Sequence, residues 1–207
     1  MIYRKARECS CGAGNGFRTS AVIETMPWRG LGEPVRAARA ELCYDDEAFY
    51  VRMRAYETSV IANRRNFGDP VCRDSCLEFF FAPVPGDNAY FNFELNPLAT
   101  MYVGFSPAGT RADSRLITDP DISDNSFFSA SSSSGAGFWE VSYRIPYSFI
   151  RLFAPAFKTP EPGDVLRCNF YTCCDDAPEP YYTVWHRVDA PAPDFHRPES
   201  FGALVFE

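Results

Sequence analysis

Cys76-Leu77-Glu78-Phe79-Phe80-Phe81 and, further along, Tyr90-Phe91-Asn92-Phe93-Glu94-Leu95 are two runs in which a large apolar residue recurs at every second position. Successive side chains of a strand point to opposite faces, so Leu77, Phe79 and Phe81 in the first run and Phe91, Phe93 and Leu95 in the second cover one face of a sheet. The other face then carries Cys76, Glu78 and Phe80 beside Tyr90, Asn92 and Glu94. Carboxylates and a carboxamide among aromatics suit a face that is half wet, as in an antiparallel sheet with one side on the core.

The same period of two extends outward in both directions. Ala38, Ala40, Leu42 and Tyr44 alternate with Arg39 and Glu41, and Phe49, Val51, Met53 and Ala55 alternate with Tyr50, Arg52, Arg54 and Tyr56. Further runs fall at Met101 to Phe105, Phe138 to Ile145, Val165 to Thr172, Tyr182 to Trp185 and Ala203 to Phe206. In the Val165 run Leu166, Cys168 and Phe170 face one way and Arg167, Asn169 and Tyr171 the other. Trp139, in step with Val141, Tyr143 and Ile145, reads as core. Helical periodicity is confined to Tyr147–Phe153 after Pro146, a residue suited to a helix start. Residues 129–134, serines with one alanine, read as a flexible loop. About nine short strands with one short helix predict an all-β fold, an immunoglobulin-like sandwich of two antiparallel sheets. The whole chain, 1–207, reads as one domain, with 1–27 an irregular amino-terminal segment.

Composition removes several function classes. The net charge is −7 and no basic cluster occurs, which argues against nucleic acid as a partner. No apolar stretch approaches the roughly 20 residues of a membrane span. Gly12-Ala13-Gly14-Asn15-Gly16 fails as a dinucleotide fingerprint because Phe17 stands where the third glycine belongs. Arg4, Lys5 and Arg7 are not followed by an apolar segment, so no secretory signal is visible and the default expectation is cytoplasmic. The cysteines at 9, 11, 43, 72, 76, 168, 173 and 174 lack zinc-knuckle spacing and read as buried reduced thiols.

The polar faces hold the candidate chemistry. Carboxylate, carboxamide and guanidinium groups match neighbouring sugar hydroxyls, and aromatic planes cover the C–H faces of a pyranose. Trp185, Phe195, Tyr181 and Tyr182 supply such planes near the carboxyl end.

A resemblance gives this reading a frame. Asp74-Ser75-Cys76-Leu77-Glu78, then Tyr90-Phe91-Asn92-Phe93-Glu94-Leu95-Asn96, then Asn169-Phe170-Tyr171, Trp185 and Asp194-Phe195-His196-Arg197-Pro198, in this order, resemble the blocks of family 9 carbohydrate-binding modules, a branch of the wider DOMON superfamily. The resemblance implies non-catalytic binding of a mono- or oligosaccharide, accessory to glycan degradation, with structural calcium in some members and no other cofactor. Carried onto this chain, it implies ligand-binding roles for Asp74, Glu78, Tyr90, Asn92, Glu94, Asn169, Tyr171, Trp185, Phe195 and His196. Family members tend to place an aromatic before the acidic block, where this chain has Val71-Cys72-Arg73. Trp28, Tyr90 or Phe80 would have to supply that wall.

Two other functions draw on the same residues. Glu78 and Glu94, on adjacent strands, are the carboxylate pair a glycoside hydrolase would use. DOMON relatives that bind haem take axial ligands from Met and His, and Met53, Met101, His186 and His196 are the atoms on offer. For calcium, the loop carrying Asp119, Asp121 and Asp124 is the candidate.

Overall fold

In the computed structural model, which describes residues 4–8, 20–28 and 36–206, the two deciding runs are neighbouring antiparallel strands, β5 (Cys76–Ala82) and β6 (Tyr90–Leu95). Their register sets Phe79 opposite Phe93 and Glu78 opposite Glu94, so the two faces read from the sequence stay separate across the pair. The other strands are β1 (Arg4–Glu8), β2 (Ser20–Ile23), β3 (Ala38–Tyr44), β4 (Ala48–Ala55), β7 (Met101–Ser106), β8 (Arg115–Leu116), β9 (Ser131–Gly135), β10 (Phe138–Pro146), β11 (Val165–Cys174), β12 (Tyr181–Val184) and β13 (Gly202–Phe206).

One sheet runs β8-β7-β6-β5-β11-β13, and β12 joins the same edge of β11 beyond β13. The second runs β3-β4-β10-β9, with β2 beside β3. β1 joins the two, pairing in parallel with β13 through Arg4–Ala6 and with β3 through Arg7–Glu8. Every other strand pairing is antiparallel, as expected of the sandwich.

The alternating apolar residues meet between the sheets. Phe79 stacks on Phe170 within one sheet at 4.7 Å, and Phe93 crosses to Tyr143 of the other at 6.0 Å. Such ring pairs add about 0.5–1.5 kcal/mol each beyond area burial. Helix α1 (Tyr147–Phe153) follows Pro146 as the sequence predicts and packs Phe149 against Phe91 and Phe128. Trp139 is core, its indole N–H donating to Glu57 Oε1 at 2.6 Å.

Three sequence expectations are corrected. The amino-terminal segment is not irregular throughout, since β1 and β2 lie within it. β2 offers a single short alternation, Ala21 and Ile23 inward, and the polar run of β1 shows none. The serine stretch expected to be a loop forms β9, an edge strand exposed along its whole length. A strand wet on both faces has no hydrophobic period to betray it. Cys43 is disulfide-bonded, whereas Cys72, Cys76, Cys168, Cys173 and Cys174 are free thiols. The glycine-bearing stretch 12–17, Cys9 and Cys11 lie outside the described residues.

Candidate functional site

Strand register builds the site on the outer face of the seven-stranded sheet. Tyr171 of β11, Glu78 of β5, Glu94 of β6 and Tyr102 of β7 form one cross-strand row. On one side of it, Cys173 stands opposite Cys76, and Tyr182 of β12 opposite Cys173. On the other side, Asn169, Phe80, Asn92 and Gly104 form a parallel row.

This face is not left open to water. The segment after β12 folds across it, held at several points by side chains of the sheet. Asn169 grips the backbone of His186, donating from Nδ2 to its carbonyl at 2.8 Å and accepting its N–H on Oδ1 at 2.9 Å. The Trp28 indole N–H donates to the Ala190 carbonyl at 2.8 Å. Phe195 lies flat on Tyr171, ring centroids 4.1 Å apart and planes at 11°, while the Tyr171 hydroxyl donates to the Phe195 carbonyl. His196 Nδ1 shares a 2.7 Å hydrogen bond with the Tyr90 hydroxyl, and its ring meets the edge of Phe80.

Between this cover and the sheet a cavity of about 90 Å³ remains. Glu78, Glu94, Cys72 and Cys173 line it from the sheet side, with Tyr182, Phe195, His196, Asp175, Asp194 and Arg111 around them. At about 30 Å³ per water molecule, it takes a few waters or the edge of one ring, not a whole oligomer. A larger cavity, about 650 Å³, is bordered by 82–86, Phe157, Lys158 and Leu166. Among its polar groups, Arg167 donates to the Pro198 carbonyl and Asp164 accepts the Glu161 N–H.

Electrostatics sets the smaller cavity apart. Burial first, then the neighbouring Glu94 charge, raise the Glu78 carboxyl well above the ordinary carboxylate range. Burial also pushes Glu94 up to about 7, against the Asn92 amide that donates to its Oε1 at 2.8 Å. Two carboxyls on facing residues cannot both ionise cheaply at low dielectric, so the pair holds a proton near neutrality. The Cys173 thiol donates to Glu78 Oε1 at 3.0 Å. Burial and the Arg111 charge push His196 down to about 4, leaving its ring neutral. The floor therefore offers a protonated carboxyl as donor beside carboxyl acceptors, with an aromatic wall.

The family model described as carbohydrate-binding family 9 matches residues 19–206. The chain belongs to carbohydrate-binding family 9. Solved structures share its fold. A candidate carbohydrate-binding protein from Bacteroides uniformis superposes with a TM-score of 0.80 at 22% identity, over 98% of this chain and 97% of that one. A family 9 module from Caldicellulosiruptor kristjanssonii in complex with glucose gives 0.61 at 14% identity, over 100% of this chain and 95% of that one. A family 9 module from the same organism with cellotriose gives 0.64 at 12%, over 100% and 94%. No curated protein matches the chain.

The residues proposed for this family 9 site from the sequence divide into three groups. Glu78, Glu94, Phe195 and His196 line the cavity. Asn92, Tyr90 and Tyr171 lie behind them, orienting Glu94, His196 and Phe195 respectively, and Asn169 fastens the cover. Asp74 and Trp185 stand elsewhere. The Asp74 carboxylate, fully buried, accepts the N–H groups of Asn63 and Arg64, the Asn96 amide and the Arg64 guanidinium. Trp185, partly buried, packs on Phe170 at the margin of the main core, outside the cavity lining. Neither Trp28 nor Tyr90 nor Phe80 supplies an open wall: Trp28 secures the cover, and Phe80 and Tyr90 are buried against each other.

Tyr182, expected from the sequence as an aromatic plane, is in the lining, which Cys72, Arg111, Cys173, Asp175, Pro193 and Asp194 complete without having been singled out as ligands. Cys173 could have been found by carrying the strand alternation one register further; Arg111, on a single 3-10 turn, and Asp194, on a coil segment, belong to no periodic run. Of the candidate calcium carboxylates, Asp119 accepts the Asp121 N–H and Asp124 the Ser126 N–H. Of the residues considered for haem, Met53 and Met101 lie in the core between the sheets, whereas His196 is on the outer face, so neither Met pairs with His196.

Gly104 makes the Asn92 position possible. A Cβ there would stand 2.4 Å from Asn92 Oδ1, so Gly104→Ala is expected to displace the amide from Glu94. Losing that hydrogen bond to a charged group costs about 1.5–3 kcal/mol. A further rise in the Glu94 pKa, read by NMR titration of its side-chain carboxyl, is the outcome to look for; an unmoved titration would show that the amide does not hold Glu94.

Proposed function

We propose that the chain is a non-catalytic module that holds one terminal ring of a neutral glycan in this cavity. The observation that carries the reading is the Glu78–Glu94 pair at its floor, two facing buried carboxyls with raised pKa values beneath Phe195 and Tyr182. A sugar edge presents each hydroxyl as donor and acceptor together, and a donor–acceptor floor answers both. Membership of carbohydrate-binding family 9 and the glucose and cellotriose in two modules of the same fold support the ligand class. Cavity size favours a chain end, because only part of a ring enters. The buried carboxyls disfavour anionic sugars.

The absence of catalysis is part of the proposal. Both glycosidase geometries flank the scissile bond with carboxyls on either side. Glu78 and Glu94 are cross-strand neighbours that rise from the same face of one sheet, so both reach a ring from the same side.

Calorimetric titration with glucose and short cello-oligosaccharides tests the reading. Saturable binding is expected, with Glu94→Gln weakening it about 10- to 100-fold, the worth of one or two hydrogen bonds to a charged group. Glu140→Gln, on the outer face of the other sheet, should leave affinity unchanged. Equal affinity in both variants would place the ligand elsewhere.

A further inference from the structure

Glu78, part of the sugar-binding floor, also belongs to a cluster whose two thiols sugar binding does not use. Cys76 and Glu78 are two apart on β5 and so share a face, and Cys173 stands directly opposite Cys76 on β11. The donor atoms of the three, all buried, lie within 4.8 Å of one another, the one convergence of three metal-type ligands among the described residues. Among the described residues the Glu78 carboxyl makes no ion pair, Arg111 acting on it only across the cavity, and its one described hydrogen bond comes from the Cys173 thiol at 3.0 Å. A carboxyl 98% removed from water, facing two thiols and without a contacting cation, is a costly group to leave so placed.

We propose that Cys76 Sγ, Cys173 Sγ and a Glu78 carboxylate oxygen form a zinc site whose fourth position opens into the cavity. Thiolate ligands select a soft or borderline ion, and Zn²⁺ accepts two sulfurs with a carboxylate oxygen in tetrahedral geometry. Zinc–sulfur bonds of about 2.3 Å and zinc–oxygen bonds of about 2.1 Å put ligand atoms roughly 3.5–3.8 Å apart. The Cys173–Glu78 separation of 3.0 Å lies somewhat below that range and the other two are within 4.8 Å, so closing the site asks for ligand shifts on the order of 1 Å. Regular strands fix all three residues, and Glu78 and Cys173 both border the cavity, which gives the ion a way in. Binding exchanges the thiol protons, and the carboxyl proton when present, for the metal: the S–H bonds break, the Zn–S bonds form, and the protons leave to solvent with no change of oxidation state. Beyond the sugar reading, this site needs no glycan to fill, so the two fail separately.

Cobalt is the probe. The whole chain, reduced and freed of metal with EDTA, is titrated with Co²⁺ in the absence of sugar. Thiolate-to-cobalt charge-transfer absorption saturating at one equivalent, with visible bands of tetrahedral intensity, is expected, and one equivalent of Zn²⁺ should discharge it. Cys173→Ser should abolish the charge-transfer band or cut it at least twofold, while Cys168→Ser, whose thiol sits on the core side, should retain it. Melting in EDTA checks that each variant is folded. Absence of the band in folded wild type overturns the proposal, as does a band unchanged in Cys173→Ser; the wild-type titration decides even if that variant does not fold.

Discussion

Asp74→Ala is expected to cost about 3–5 kcal/mol, the usual penalty for removing one partner of a buried ion pair. For a chain of this size that lowers Tm by about 10 °C. The carboxylate is wholly removed from water, yet it stays ionised. Burial opposes its charge; the Arg64 N–H, the Asn96 amide, the Arg64 guanidinium and the Asn63 N–H overcome that and hold its pKa below the usual range. Its removal strands two backbone donors and one Asn96 amide hydrogen, while the Asn96 amide keeps the Arg64 carbonyl at 2.7 Å and Arg64 keeps Asp176 at 2.8 Å. Asp74→Asn, which preserves shape and loses charge, should fall between wild type and Asp74→Ala. Urea unfolding measures all three, and a loss below about 1 kcal/mol for Asp74→Ala would mean that water or Asp176 replaces the carboxylate readily. Sugar affinity of the folded fraction should not change, because Asp74 lies outside the cavity lining.

Asp74 also shows why the sequence misplaces some of the site. It stands four residues from Glu78 in the same acidic block, and neighbourhood in sequence says nothing about face or depth. Where regular strands carry the residues, the reading succeeds: the alternation in β5 and β6 puts Leu77, Phe79 and Phe81 in the core and sends Glu78, Asn92 and Glu94 to the opposite face. Where backbone is irregular, it fails. The segment from Trp185 to Phe201 carries aromatics whose destinations depend on how it crosses the sheet. Phe195 and His196 land in the cavity, but Trp185 turns to Phe170 and the main core. Strands without an apolar face, β1 and β9, leave no periodic trace at all. The vicinity of Cys76, Glu78 and Cys173 was equally hidden, since their spacing is set by the β5–β11 register and not by any short motif.

The buried carboxyl pair makes stability depend on pH in an unusual direction. A carboxyl whose folded pKa is raised binds its proton more tightly when folded, so its contribution is complete below the unfolded pKa and is lost as pH climbs through the folded one. Glu94, raised from 4.5 to about 7, corresponds to about 3 kcal/mol, and Glu78 adds to it. His196 acts the other way. Its folded pKa is depressed, so it withdraws stability as pH falls below about 6.5, and above that it contributes no slope. Of the groups around the pair, Asp175 opposes the charged form and Arg111 favours it. The Cys76 thiol, raised by burial against the lowering effect of its Cys173 contact, and the Cys173 thiol, raised by that contact and then by burial, stay protonated. In EDTA, therefore, wild type should lose stability steadily between about pH 6.5 and 8. Glu78→Gln, neutral at every pH, removes one of the two charges that must form and relieves the other, so it should be more stable than wild type at pH 8 and close to it only near pH 4.5, the unfolded carboxyl value. Guanidinium unfolding at the two pH values measures the difference. Wild-type and variant stabilities that stay parallel across this window would mean that water already solvates the pair, and the proton held at the floor of the site would have to be given up with it.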